Sequence, residues 1–250
     1  MINKLKFGTA GNSKLDSKTL TFDLPAGYAC PFALKCKAWV DRKTGKVCNG
    51  EHQVFRCFGV NSEVRFKEGV LAKHWHNFDL LKEARTVKTM ANLIDVSLPN
   101  TCWYKARVHS VGGDFYNLSY FKAWCEVARR HPDKIFYAYS KAAPIVTRED
   151  LKPSNFKIAG SEGGTHDEIF EQLEYHPMVR VVFSYEEAEE RGLEIDHDDS
   201  HAIDINRKKK DFALLLHGPQ TAGSDASKAL QELNKQGWHG YGKSKKGGSK

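Results

Sequence analysis

From residue 103 onward the chain repeats one rhythm: a short apolar run, a turn of small or polar residues, and then apolar residues at helical spacing. Residues 103–108 (Trp-Tyr-Lys-Ala-Arg-Val), 135–139, 156–159, 179–183 and 212–216 read as strands. Between them, Leu118, Phe121, Cys125 and Ala128 recur at helical spacing and stop at His131-Pro132. Further helices are expected near 166–174, over the Glu-rich 185–191 and near 224–235. Strands that alternate with helices predict an α/β protein with a mainly parallel sheet and helical crossovers. An open sheet and an incomplete, barrel-like (β/α) arrangement both satisfy this rhythm.

The N-terminal part is organised differently. Residues 19–28 alternate like a strand and stop at Pro25-Ala26-Gly27. A Cys-rich segment follows, from Cys30 to Cys57. Residues 63–96 then carry apolar side chains at helical spacing, with neither Gly nor Pro between Val70 and Leu98. These features predict a single α/β domain over residues 1–237 with the Cys-rich segment inside it. Residues 238–250 are mostly Gly, Ser and Lys, which bury little surface, so a flexible basic tail is expected there.

Composition excludes several classes. Hydrophobic residues make up 40% and charged residues 28%, as in an ordinary globular domain. No apolar run approaches the ~18 residues of a membrane helix, and the first residues carry no apolar signal core. No membrane association is expected. Charge is segregated: residues 1–110 hold 18 Lys/Arg against 9 Asp/Glu, residues 111–206 hold 10 against 19, and residues 207–250 hold 10 against 3. The basic ends either meet a polyanion such as nucleic acid or pair with the acidic middle.

Cys30, Cys36, Cys48 and Cys57 are spaced C-P-x4-C-x11-C-x8-C. In a reducing compartment, clustered thiols point to metal before disulfides. The irregular spacing, without paired C-x2-C knuckles, favours an iron–sulfur cluster over zinc, with all four cysteines as candidate ligands. His52 lies inside the segment and is an alternative ligand. Cys125 reads as a core residue, and Cys102 is ambiguous.

Parallel α/β folds bind ligands at the carboxyl ends of their strands. Three titratable residues follow predicted strands there: His109, Asp114 and His217. They are the candidate catalytic group, with the histidines as proton-transfer groups and Asp114 orienting one of them or holding a substrate. Lys141, Glu162, His197 and His201 are expected to line the same pocket. Whether the site performs catalysis is left open.

Several of these segments together resemble one family. They are residues 24–31 (Leu-Pro-Ala-Gly-Tyr-Ala-Cys-Pro), residues 107–115 from Arg107 to Phe115, residues 136–141 (Phe-Tyr-Ala-Tyr-Ser-Lys) and residues 216–220 (Leu-His-Gly-Pro-Gln). The combination resembles the bacteriophage proteins labelled gene eighty-eight products, including marine phage relatives, over residues 14–235. The resemblance implies a phage-encoded protein working in the host cytoplasm. The family's His–Ser–Gly–Asp segment maps to His109, Ser110, Gly113 and Asp114, with Val111-Gly112 intervening. The leading expectation is thus a phage-encoded metal-binding protein whose four-cysteine site adjoins a His/Asp pocket. The alternative is a zinc-stabilised nucleic-acid-binding protein that uses its basic ends.

Overall fold

The computed structural model describes residues 3–9, 14–204 and 210–241. Its centre is one eight-stranded sheet, flanked by a separate two-stranded ribbon. In chain order the strands are β1 Gly8–Thr9, β2 Thr19–Phe22, β3 Ala38–Val40, β4 Val47–Asn49, β5 Lys105–Val108, β6 Ile135–Ser140, β7 Phe156–Ser161, β8 Met178–Val182, β9 Glu194–Ile195 and β10 Phe212–Leu215. The large sheet runs β1-β2-β5-β6-β7-β8-β10-β9, and every neighbouring pair is parallel except β1–β2. β1 and β9 form its two edges, so the sheet is open. β3 and β4 make the antiparallel ribbon inside the Cys-rich segment.

The helices are α1 Phe58–Arg65, α2 Ala72–Ala84, α3 Val87–Ser97, α4 Leu118–Arg130, α5 Ala143–Val146, α6 Asp167–Glu171, α7 Tyr185–Glu190, α8 Ser200–Ile203 and α9 Asp225–Lys235, with a π-helical turn at Lys67–Leu71. Their starts are chemically marked. The side chains of Asn117, Ser184 and Ser224 accept from the third-residue amides of α4, α7 and α9, and Thr86 and Thr89 form a capping box on α3.

Strand order fixes where the helices sit. From β2 to β8 each parallel step moves the same way across the sheet, so right-handed crossovers place their helices on one face. Leu20, Phe22, Ala106, Val108, Phe136, Ala138, Phe156 and Ile158 point to that face, into a core shared with α3 and α4. Farther along the sheet, Ala213 and Leu215 of β10 pack on α7 and α9 residues. The step from β9 back to β10 reverses direction and sends α8 to the opposite face, where it packs on β6 and β7. Alternate residues of the strands, Tyr137, Ala159, Phe212 and Leu214, meet Ala202 and Tyr241 there.

Three expectations are corrected. The helical stretch over 63–96 is broken twice: at Phe66, and at Arg85, which adopts φ 57° before Thr86 caps α3. The strand expected over 19–28 ends at Phe22. Its next residue, Asp23, turns out of the sheet, and its carboxylate accepts from the Val111 and Gly112 amides and the Ser110 hydroxyl. The boundary at 237 also moves. Trp238 Nε1 donates to the Leu216 carbonyl at 2.9 Å, and the buried Tyr241 donates to the Asp196 carbonyl at 3.0 Å. The rest of the expected tail, 242–250, and the basic residues 207–209 lie outside the described residues.

Candidate functional site

The Cys-rich segment crosses the carboxyl edge of the sheet. At one end, the Asp114 amide donates to the Ala29 carbonyl. In the middle, the amides of Leu34 and Lys35 donate to Gly163 and that of Thr165 to Phe32, tying the segment to the turn after β7. At the other end, the Arg56 amide donates to Gln220 Oε1 at 2.7 Å, beyond β10. α1 begins directly after Cys57 and lies against the Val111-Gly112 turn. A Cβ on Gly59 would stand 2.4 Å from the Val111 carbonyl oxygen, so only glycine allows this approach.

This path brings Cys30, Cys36 and Cys57 within charge range of one another. Burial raises the Cys30 thiol well above its ordinary value, and Asp114, Cys57 and Cys36 raise it further. Burial pushes Cys57 up to about 12, with Cys36 adding to the rise. The Gly59 and Val60 amides, at the open start of α1, act in the opposite direction and favour its thiolate. Cys48 sits on β4 opposite Trp39, and its charge is felt by the Tyr28 hydroxyl. Among the described residues no three His, Cys, Asp or Glu side chains are grouped to hold a metal ion. The expected convergence of four thiols on one ion is therefore not seen. His52 is exposed. Cys125 is buried in the main core and Cys102 is exposed.

The three residues expected to share a catalytic cleft have separate surroundings. Strand alternation would send His109 to the face of Arg107. Its left-handed backbone, φ 60°, turns it instead toward the helical layer. There the ring packs on Phe115, and Nε2 lies 3.1 Å from the Tyr120 hydroxyl. Its Nδ1 is buried without a partner, and burial lowers the pKa to about 3. Asp114 lies beneath Cys30. It accepts from the Ser140 hydroxyl at 2.6 Å and from the amides of Lys141 and Phe115, and burial raises its pKa against these bonds. His217 stacks on Phe58 with ring centroids 3.7 Å apart and donates through Nδ1 to the Leu215 carbonyl at 3.0 Å. Burial lowers its pKa to about 4.

The other expected lining residues are engaged separately. Lys141 Nζ donates to the Ser161 hydroxyl and to the carbonyls of Ser161 and Glu162. Glu162 pairs with Lys35, Arg180 and Arg191. His201 lies between Glu194 and Asp196, and His197 meets the Trp238 ring edge-on.

Sequence reasoning missed a buried polar group on the α8 face. Asp199 accepts from Arg107 at 2.8 Å, Lys14 at 3.1 Å, Tyr137 at 3.0 Å and Tyr139 at 2.9 Å. Burial alone would raise its pKa, but Arg107 and Lys14 outweigh burial and hold it below the ordinary carboxylate value. The alternating Arg107, Tyr137 and Tyr139 inside otherwise apolar strands were the available signal.

Fold and site define an open, mainly parallel α/β protein with a thiol-bearing strap over the carboxyl edge of its sheet. The chain belongs to the Gene product 88 family, whose family model matches residues 3–233, in keeping with the bacteriophage motifs read from the sequence. Comparison with curated proteins and with solved structures gave no match. No described helix is long and apolar enough to cross a membrane.

Proposed function

We propose that this phage protein holds an iron–sulfur cluster on Cys30, Cys36 and Cys57, with one iron left free of cysteine for a further ligand. The observation that carries this reading is the path of the strap across the carboxyl edge, held from the Asp114–Ala29 bond to the Arg56–Gln220 bond, which brings the three thiols within charge range of one another. Burial keeps the Cys30 and Cys57 thiols protonated unless a cation joins them, and a metal supplies that charge. The thiols are not grouped for a single ion. A cluster suits them better, because each cysteine binds a different corner. Such a cluster transfers single electrons and binds a ligand at its open iron.

The chain's own residues would prepare this place. The Gly59 and Val60 amides favour negative charge on the Cys57 sulfur. Asp114, bonded to Ser140 and Lys141, supports the loop under Cys30. Phe55 and Val182 belong to the apolar cluster on which Cys36 packs, which limits water at that sulfur.

Anaerobic purification with iron and sulfide analysis tests the reading. The expected product is brown, contains iron and sulfide, and loses both in Cys30→Ser, Cys36→Ser and Cys57→Ser but keeps both in Cys48→Ser. A colourless chain, a zinc-only chain or loss of colour in Cys48→Ser would overturn it.

A further inference from the structure

A second feature lies on the outer face of the β3–β4 ribbon. Ala38 and Val40 of β3 are buried, so strand alternation turns the half-buried Trp39 between them outward. Tyr28 stands edge-on to Trp39 at 6.4 Å between ring centroids, and edge-on to Trp75 of α2 at 4.8 Å. Tyr28 is 44% exposed, so its ring keeps surface open to solvent. The tip of the same ribbon carries charge. Arg42, Lys43 and Lys46 are exposed there. The exposed Lys67, from the π-helical turn, lies against the tip, since a Cβ on Gly45 would stand 2.6 Å from Lys67 Nζ. A groove of about 590 Å³ separates the tip from α2, with Arg42, Lys43, Lys67, Trp75 and His76 along it.

Around the tip and groove, Arg42, Lys43, Lys46 and Lys67 face Asp41, Glu68 and Asp79. Two of these carboxylates are committed within the fold. Asp41 accepts from the Lys43 and Thr44 amides and shapes the turn, and Asp79 accepts from both terminal nitrogens of Arg42. That bidentate pair holds the guanidinium 4.5 Å from the centre of the Trp75 ring. Lys43, Lys46 and Lys67 have no acidic partner among the described residues, which leaves their amines to solvent or to a ligand. Cations alone would serve any polyanion. Open aromatic rings beside them add faces on which flat bases stack, and only unpaired bases can reach such faces, because a duplex keeps its bases stacked inside. An acidic peptide has charge for the lysines but no bases for the rings.

We propose that this face binds single-stranded nucleic acid, with phosphates on Lys43, Lys46 and Lys67 and bases stacked on Tyr28 and Trp39. DNA and RNA offer the same phosphates and flat bases, and the experiment separates them. The surface uses none of the three thiols assigned to the cluster, so it is tested apart from that reading.

Fluorescence anisotropy of labelled oligo-dT and oligo-U of about 20 nucleotides, and of a DNA duplex of the same length, titrated with the full chain at about 50 mM salt, tests the proposal. At least one single strand should bind, and the duplex should bind at least about tenfold more weakly. The tighter of the two single strands identifies the sugar. Lys43→Ala, Lys46→Ala and Lys67→Ala together should weaken binding about tenfold or more and flatten the slope of log affinity against log salt by about two, from about 0.7 for each lost phosphate contact. All three side chains are exposed, so this variant should melt like the parent. Tyr28→Ala should lose about fivefold or more, while Tyr28→Phe, which keeps the ring, should bind like the parent. Binding of neither single strand, a duplex bound as tightly as the single strands, displacement by poly-glutamate as effective as by oligo-dT, or unchanged affinity in Tyr28→Ala or in the triple lysine variant would overturn the proposal.

Discussion

Arg107 Nη1 donates to Asp199 Oδ2 at 2.8 Å, joining β5 to the start of α8 across the face opposite the main helical layer. The contact exists because the return from β9 to β10 carries α8 over that face. Asp199 takes φ 63°, a left-handed turn that aspartate tolerates better than most residues. Lys14, Tyr137 and Tyr139 complete its shell, so the carboxylate is fully enclosed yet satisfied.

Removing that carboxylate should be costly. Asp199→Ala leaves two buried cations without their shared partner, and a loss of about 3–5 kcal/mol is expected. Asp199→Asn keeps the left-handed turn and some hydrogen bonds, so it should lose less. Urea unfolding of the two variants checks this ordering; equal stability of Asp199→Ala and the parent would contradict the role assigned to the pair.

The C-terminal segment should contribute to stability. Truncation after residue 237 removes the Trp238 and Tyr241 contacts, including hydrogen bonds to the Leu216 and Asp196 carbonyls. The thermal midpoint should fall by several degrees. Tyr241→Phe alone should cost about 1 kcal/mol. Truncation at 241 instead of 237 should restore the parent midpoint, and an unchanged midpoint after truncation at 237 would show that the docking adds nothing.

Acid should destabilise the fold through its buried histidines. Burial lowers His109 to about 3 and His217 to about 4 in the folded chain. Unfolded histidine titrates near 6.5, so between that pH and the folded values the unfolded chain binds more protons. Stability is therefore present above about pH 6.5 and lost as pH falls, by up to about 1.4 kcal/mol per pH unit for each ring. Unfolding measured from about pH 7 to about pH 5 should show a shallower loss in His217→Gln than in the parent. Identical slopes would mean that His217 does not titrate with folding.

Thiol reactivity should separate the cysteines in metal-free protein. Cys102 is exposed and should alkylate first with iodoacetamide. Cys30 and Cys57, whose thiols are pushed up by burial, should react only slowly until the chain unfolds. Peptide mass spectrometry after timed labelling reads the order directly. Labelling of Cys30 as fast as Cys102 would refute the enclosure of that thiol.

Much of the fold was legible in local sequence. The apolar runs at 135–139, 156–159 and 212–216 predicted β6, β7 and β10 closely, because buried parallel strands need apolar side chains along their length. The helical spacing of Leu118, Phe121, Cys125 and Ala128 and the stretch near 224–235 predicted α4 and α9, because an amphipathic face depends only on residues a turn or two away. The candidate site was less legible. His109 does follow β5, but its positive φ decides which layer the ring enters, and His217, at the end of β10, lies against Phe58 in a different place.

Sequence by itself determined the α/β class, the order of most strands along the chain and the clustering of cysteines between residues 30 and 57, since each rests on composition or spacing within a short window. Only the tertiary structure decided that Trp238 and Tyr241 dock and that Arg107 and Asp199 meet. Those outcomes depend on contacts between segments far apart in the chain. Strand order, crossover direction and backbone handedness at single residues set such contacts, and no local pattern encodes them.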